Sequence, residues 1–217
     1  MSMEERIKLA LERVKDFSSK LVVIAGEGIA DLWGVPQVLM DLRSLVEACR
    51  ALANRFGKAA SEIMLYTLGY ELGARGCRVL ADRYDVEDPV DKLLMGPFIM
   101  QWVGLAGYVG FLKSNLVQAD DFYLLWEAKS NYAEHFLASY GLSEQPTCFI
   151  LAGYSAGWTS EAFGVPLATR EVFCLAKGDT ACRFLTAHSK KLFELIREDW
   201  VRAPAESFGV LRFRVSQ

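Results

Sequence analysis

The chain has 217 residues, 52% of them hydrophobic and 24% charged, a balance that excludes a disordered, collagen-like or low-complexity chain and allows a buried core of one domain or two small ones. Lys plus Arg is 24 against 27 Asp plus Glu, giving a net charge of −3, and a mildly acidic chain without a basic run is a poor direct binder of nucleic acid. No apolar stretch reaches the roughly 20 residues that span a membrane, and the opening MSMEERIKLALERVKDF lacks a signal-peptide core, so a cytoplasmic chain is expected, with its five cysteines reduced or metal-bound.

Ile7, Ala10, Leu11, Val14 and Phe17 recur at helical spacing and predict a helix over 3–17. The β-branched run at 21–24, with Gly26 and Gly28 after it, predicts a strand closed by a turn, with a partner over 29–33. Residues 42–56 put Leu45, Val46, Cys49, Leu52 and Phe56 on one helical face, and Gly57 suits the C-cap. A long helix is expected over 59–84. Gly69 and Gly73 lie one turn apart within it; each costs about 1 kcal/mol of helix propensity relative to Ala, which points to close helix packing. Asp88-Pro89 opens another helix running to about residue 105.

From Gly107 the pattern changes. Residues 108–117 and 121–126 read as strands around a polar turn at 118–120. Helices are expected over 130–140 and 146–163, the second closed by Gly164 with Pro166 beyond. Residues 167–175 and 181–187 read as a hairpin around Lys177-Gly178-Asp179, 189–200 as a helix, and 210–215 as a last strand. A helical first half and a mixed second half, without regular strand–helix alternation, predict an α+β fold in which an antiparallel sheet with packed helices forms the C-terminal half. A boundary near 105–108 would divide a 1–106 helical part, serving dimerisation and one pocket wall, from a 107–217 part carrying the metal and ligand sites. The two are expected to form one compact unit.

Gly153-Tyr154-Ser155-Ala156-Gly157 fits G-x-S-x-G, the elbow of serine hydrolases, and Asp179 and His188 follow in the right chain order. That pair is too close in sequence to occupy separate strand ends, and no oxyanion segment or alternating frame accompanies the serine. The small residues 152–157 read instead as the packed face of a helix. Nothing matches a phosphate loop or a dinucleotide-binding fingerprint. His135 and His188, the two histidines, read as structural.

Cys49 and Cys77 lie on apolar helix faces and read as small core residues. Cys174 and Cys182 flank the expected hairpin, Glu171 stands three residues before Cys174, and Cys148 begins the helix that leads into it. Three thiolates and a carboxylate suit tetrahedral zinc. C-x7-C is not a standard zinc pair, so three buried cysteines beside a surface glutamate is the competing reading at this point.

The segment GYSAGWTSEAFGVPLATREVFCLAKGDTACRF, with Cys148 before it, closely resembles the 4-vinyl reductase-like domain, whose pattern runs G-Y-A-S-G-x-x-S-x-x-x-G-x-P, then R-E-V-x-C, then C-R. Ser130, Glu134 and His135 echo its S-x-E-A-x-x-H helix. Upstream, LYTLGYELGARGCRVLADRY and LLMGPFIM resemble the module that precedes this domain in XylR-type activators of aromatic catabolism. The resemblance covers about residues 35–190 and is more specific in the C-terminal half. It implies an α+β, usually dimeric sensor that holds a small aromatic effector in a closed pocket. It also implies a structural zinc, whose ligands fall on Cys148, Glu171, Cys174 and Cys182, the set reached above from chemistry and now a zinc-stapled hairpin.

In the family's phenol sensors a histidine in G-P-x-L-H and a tryptophan hold the hydroxyl. The histidine position is here Met100, Trp126 matches the tryptophan, an aromatic position falls on Trp158 and a tyrosine position on Thr169. Met100, Trp102, Trp126, Trp158 and Thr169 are therefore the candidate ligand-binding residues. The absent histidine predicts an apolar, adaptable pocket that prefers plain or alkylated aromatics to phenol; ordinary core residues are the alternative. The activators continue into ATPase and helix-turn-helix domains that this sequence lacks, so a stand-alone sensor, an adaptor or a piece of a longer regulator is expected. A non-enzymatic sensor leads. A reductase of tetrapyrrole vinyl groups and a scaffold module without ligand are the alternatives.

Overall fold

Helix α1 (Met3–Ser18) starts at a capping box: Glu5 N donates to Ser2 Oγ at 3.2 Å and Ser2 N to Glu5 Oε2 at 2.7 Å. Its buried face carries Ala10, Val14 and Phe17. The structure, a computed structural model, describes residues 1–24, 29–32, 35–36, 40–117 and 121–214. The expected turn at Gly26 and Gly28, the Trp33 end of the second strand, the turn at 118–120 and Val215 lie outside the described residues. Strands β1 (Leu21–Ile24), β2 (Ile29–Leu32) and β3 (Val35–Pro36) form an antiparallel sheet in that order.

Helices α2 (Leu42–Phe56) and α3 (Lys58–Arg83) meet at Gly57. Helix α4 (Pro89–Trp102) is capped by Asp88, whose Oδ1 accepts from Val90 N at 2.9 Å and Asp91 N at 3.0 Å. The same Asp88 and Asp91 pair with Arg6, which ties α1 to α4.

The second half holds β4 (Ala106–Asn115), β5 (Tyr123–Ser130), α5 (Asn131–Tyr140), α6 (Phe149–Phe163), β6 (Leu167–Phe173), β7 (Cys182–His188), the short helices α7 (Leu192–Leu195) and α8 (Asp199–Arg202), and β8 (Leu211–Phe213). The five strands make one antiparallel sheet in the order β6-β7-β5-β4-β8. One face lies under α4 and α6, with Leu124, Trp126 and Phe184 in the main core. The other carries Leu112, Leu125, Leu185 and Val201, closed by the chain around α7 and α8. Both faces being covered is why every residue of β7 is buried.

The paired glycines explain how the two halves join. A Cβ at Gly69 or Gly73 of α3 would lie 2.2 Å from Ile150 O or 2.1 Å from Tyr154 O. One at Gly153 or Gly157 of α6 would lie 2.0 Å from Tyr66 O or 1.9 Å from Tyr70 O. The helices touch backbone to backbone, and the small segment 152–157 is the packed helix face that its composition predicts.

Two expectations are corrected. Residues 189–200 are not one helix: α7 and α8 are separated by an extended Glu198 (φ −66°, ψ 134°). The chain turns there to deliver the carbonyls of Val201 and Ala203 to the buried Arg183 Nη1, at 3.1 and 2.5 Å. Strand β5 does not stop at Trp126 but runs to Ser130, because Glu127 is buried opposite Arg183 (Nε–Oε1 2.8 Å) rather than marking a solvent end.

Candidate functional site

Two arrangements flank α6. At its start Cys148 is the N-cap; Glu171 lies on β6, Cys174 just beyond it, and Cys182 begins β7. One ligand atom from each of the four lies within 4.8 Å of every other. Cys148 Sγ and Cys182 Sγ are 3.6 Å apart. The knuckle after β6 is held by Cys174 N donating to Asp179 Oδ2 at 2.7 Å and Lys177 N to Cys174 O at 2.9 Å. Leu175 N points at Cys182 Sγ at 3.3 Å. Asp179, a candidate triad acid in the hydrolase reading, is thus a turn residue.

Glu171 Oε2 accepts from Cys148 N at 3.0 Å, but Oε1 is buried with no partner, which is the mark of a missing cation or donor. Burial pushes the Cys148 thiol and the Glu171 carboxyl well above their usual values. Hydrogen bonds from Cys148, then Cys182, hold the Cys174 thiol far below its own. Four such groups cannot all ionise together in a dry site unless a cation joins them; the cluster has the donor set of a metal site. Cys77 is different: burial pushes its thiol up to about 12, the inert core cysteine expected.

Further along α6 a cavity of about 10 Å³, roughly one water, lies between α4, α6 and the sheet. Met100, Trp126 and Trp158 meet in its wall with Leu93, Phe111 and Ser155. All of these are buried. Trp102 lies outside the lining, half-buried, its ring centroid 6.1 Å from that of Phe17. Thr169 is also outside it, behind Thr186, with Oγ1 to Oγ1 at 2.8 Å. The indole N–H of Trp126 is not free for a ligand, since it donates to Thr186 Oγ1 at 3.1 Å. That of Trp158 donates to Lys92 O at 2.9 Å.

Thr186 is the residue that sequence reasoning missed. It pairs with Leu124 across β5 and with Thr169 across β6, and its hydroxyl also lies 3.2 Å from Ser155 Oγ. A threonine inside the apolar β7 was the available signal. Among the described residues no histidine or carboxylate lies within hydrogen-bonding distance of Ser155, so the G-x-S-x-G serine has no base. His188 Nδ1 accepts from Lys190 N at 3.4 Å, and His135 Nε2 is buried without a partner; neither joins the cysteine cluster.

A helical half joined through α6 to a five-stranded sheet, with a cysteine–glutamate cluster at one end of α6 and an aromatic cavity along it, is the make-up of a sensor module. Residues 16–115 match the family model for the activator of aromatic catabolism, and residues 129–187 match the model for the 4-vinyl reductase domain. The chain thus carries the two parts of the sensor half of XylR-type activators. It is 26% identical over 176 residues to the phenol regulator MopR of Acinetobacter guillouiae, covering 79% of this chain and 31% of that protein. It is 23% identical over 191 residues to the transcriptional regulatory protein XylR of Pseudomonas putida, covering 84% of this chain and 32% of that one. The chain therefore spans about a third of the length of these relatives. A crystal structure of the phenol-responsive sensory domain of the transcription activator PoxR with phenol shares the fold, with a TM-score of 0.75, 19% identity, and coverage of 94% of this chain and 100% of that one. All three are regulators or part of one rather than enzymes. Among the described residues no helix is long and apolar enough to cross a membrane.

Proposed function

We propose that the chain is an effector-binding sensor of a cytoplasmic transcriptional regulator, and that it takes a small hydrophobic, aromatic ligand into the cavity between α4, α6 and the sheet. The observation that carries this reading is the convergence of Met100, Trp126 and Trp158 on one buried space. Phenol-responsive regulators among the relatives support it. A cavity that holds benzene measures about 150 Å³, so binding requires the wall to give, and Met100, with a long flexible thioether, is the residue that can yield. Filling the pocket favours one packing of the helices over another and so signals by population shift.

In this proposal Cys148, Glu171, Cys174 and Cys182 hold one structural zinc. About 2.3 Å per Zn–S bond in a tetrahedron places sulfurs about 3.8 Å apart, close to the 3.6 Å between Cys148 and Cys182. Bound zinc would neutralise the crowded thiolates and staple β6, β7 and the start of α6. The parts 1–106 and 107–217 act as one unit, since α3 and α6 touch through their backbones. A homodimer is part of the same proposal, supported by Met64, Leu68 and Leu72, spaced one turn apart and exposed on α3.

Two measurements test this. Metal analysis of protein purified without chelators should find about one zinc per chain, and under about a fifth of an equivalent would remove the zinc. Calorimetry with toluene and phenol should show saturable binding; absence of binding by both, in zinc-replete protein, would remove the aromatic sensor.

A further inference from the structure

We infer that Ser155 is the hydrogen-bond donor that sets specificity in the cavity. It selects a single-ring aromatic ligand with an acceptor-only oxygen beside the ring, such as an aryl ketone, over a hydroxylated ring or a hydrocarbon. This rests on the cavity being the ligand site.

The polar side chains of the lining are Ser155, Thr159 and the two indoles. Three are committed elsewhere. Thr159 Oγ1 donates to Ser155 O at 2.7 Å, Trp158 Nε1 to Lys92 O and Trp126 Nε1 to Thr186 Oγ1. Ser155 is the exception, and counting protons shows why. Thr186 Oγ1 contacts Trp126 Nε1, Ser155 Oγ at 3.2 Å and Thr169 Oγ1 at 2.8 Å. A hydroxyl has one proton and two acceptor sites. Trp126 fills one site on Thr186, so only one of the two neighbouring hydroxyls can donate to the other site. The remaining neighbour must accept the proton of Thr186, and its own proton is then left over. With the donors running from Thr169 to Thr186 to Ser155, that proton sits on Ser155, which faces the cavity.

Ser155, Thr169 and Thr186 are all buried, and a buried donor left unpaired is costly. A ligand oxygen that only accepts completes the run from Thr169 through Thr186 and Ser155 to the ligand, with Trp126 satisfied as well. A ligand hydroxyl brings one more proton and leaves one donor unpaired. A hydrocarbon leaves the proton of Ser155 unpaired. The central serine of the G-x-S-x-G motif thus gains a role that needs no base, and it supplies from α6 the polar anchor that Met100, on α4, cannot offer.

Calorimetry on the 217-residue chain with acetophenone, 1-phenylethanol and α-methylstyrene, rings of similar size, tests this. The wild type should bind acetophenone about tenfold more tightly than either other ligand, the worth of one net hydrogen bond. Ser155→Ala should lose that advantage while keeping its affinity for α-methylstyrene, and Ser155→Cys, a weak donor, should lose most of it. Thermal melts establish that both variants are folded. Equal binding of acetophenone and α-methylstyrene by the wild type, or a preference that survives in Ser155→Ala, overturns the inference and leaves the cavity reading standing. If 1-phenylethanol matches acetophenone, the acceptor-only selectivity is overturned; the Leu93 carbonyl, which Pro97 deprives of its helical N–H, would then be taking the ligand's proton. If none of the three binds, the cavity is not the ligand site and both readings fall.

Discussion

Gly157→Ala adds one methyl group at the tightest point of the α3–α6 contact. Its carbon would lie 1.9 Å from Tyr70 O and 2.7 Å from the carbonyl carbon. Carbon and carbonyl oxygen approach no closer than about 3.3 Å, so the helices must part by about 1.4 Å at this crossing. The opposing atoms are backbone and cannot swing aside. Alanine returns about 1 kcal/mol of helix propensity. Against this, overpacking costs about 1–3 kcal/mol and occasionally more. Parting the helices also loosens the packing at Gly69, Gly73 and Gly153, where a gap of about 0.5–1 Å forfeits a quarter to a half of each dispersion well. The expected net loss is about 2 kcal/mol, which lowers the melting temperature by roughly 4–8 °C in a chain of this size. Thermal unfolding followed by circular dichroism measures it. Gly107→Ala is the control: its Cβ would have 3.5 Å to the nearest atom, Asn131 Oδ1, and it should stay within about 0.5 kcal/mol of wild type. A Gly157→Ala protein that melts at or above wild type refutes the backbone-contact reasoning.

Cys174→Ala should release the zinc and lower the melting temperature strongly, because the remaining ligands stay crowded without a cation; retention of both metal and melting temperature would contradict the ligand assignment. Met100→His should shift binding toward phenol relative to toluene in calorimetry, and an unchanged ratio would show that residue 100 does not touch the ligand. Glu127→Ala leaves the guanidinium of Arg183 buried without its carboxylate, so urea denaturation should show a loss of about 3–5 kcal/mol, and an unmoved midpoint would mean that the carbonyls of Val201 and Ala203 suffice for it.

The elements that could be read ahead of the structure are those whose signal is local. The 3.6-residue spacing of Ala10, Val14 and Phe17 gives α1, and Asp88 before Pro89 gives the start of α4. The glycine pairs gave the helix contact, because glycine inside a helix is unfavourable unless something needs the space. The cysteine cluster was legible because thiols and a carboxylate grouped around one hairpin have few other uses. What failed was non-local. Glu127 looks like the end of a strand until Arg183 is placed opposite it, and nothing within 189–200 says that its carbonyls are needed by that arginine. Trp102 and Thr169 carry no periodic mark that separates the cavity from the shell around it. The hydroxyl group of Thr186 matters only through three partners drawn from three other elements.

Helix α6 makes the cavity mechanically lopsided. Its back rests directly on the α3 main chain and its first residue is held in the cysteine cluster, so that wall has almost no travel. The facing wall is α4, interrupted by Pro97, lined by flexible Met100, and fastened to α1 through Arg6. Any added volume must be gained by displacing α4, and the displacement is handed to the N-terminal helix rather than to the sheet. The stiffness of one helix fixes the direction in which the other half of the molecule moves.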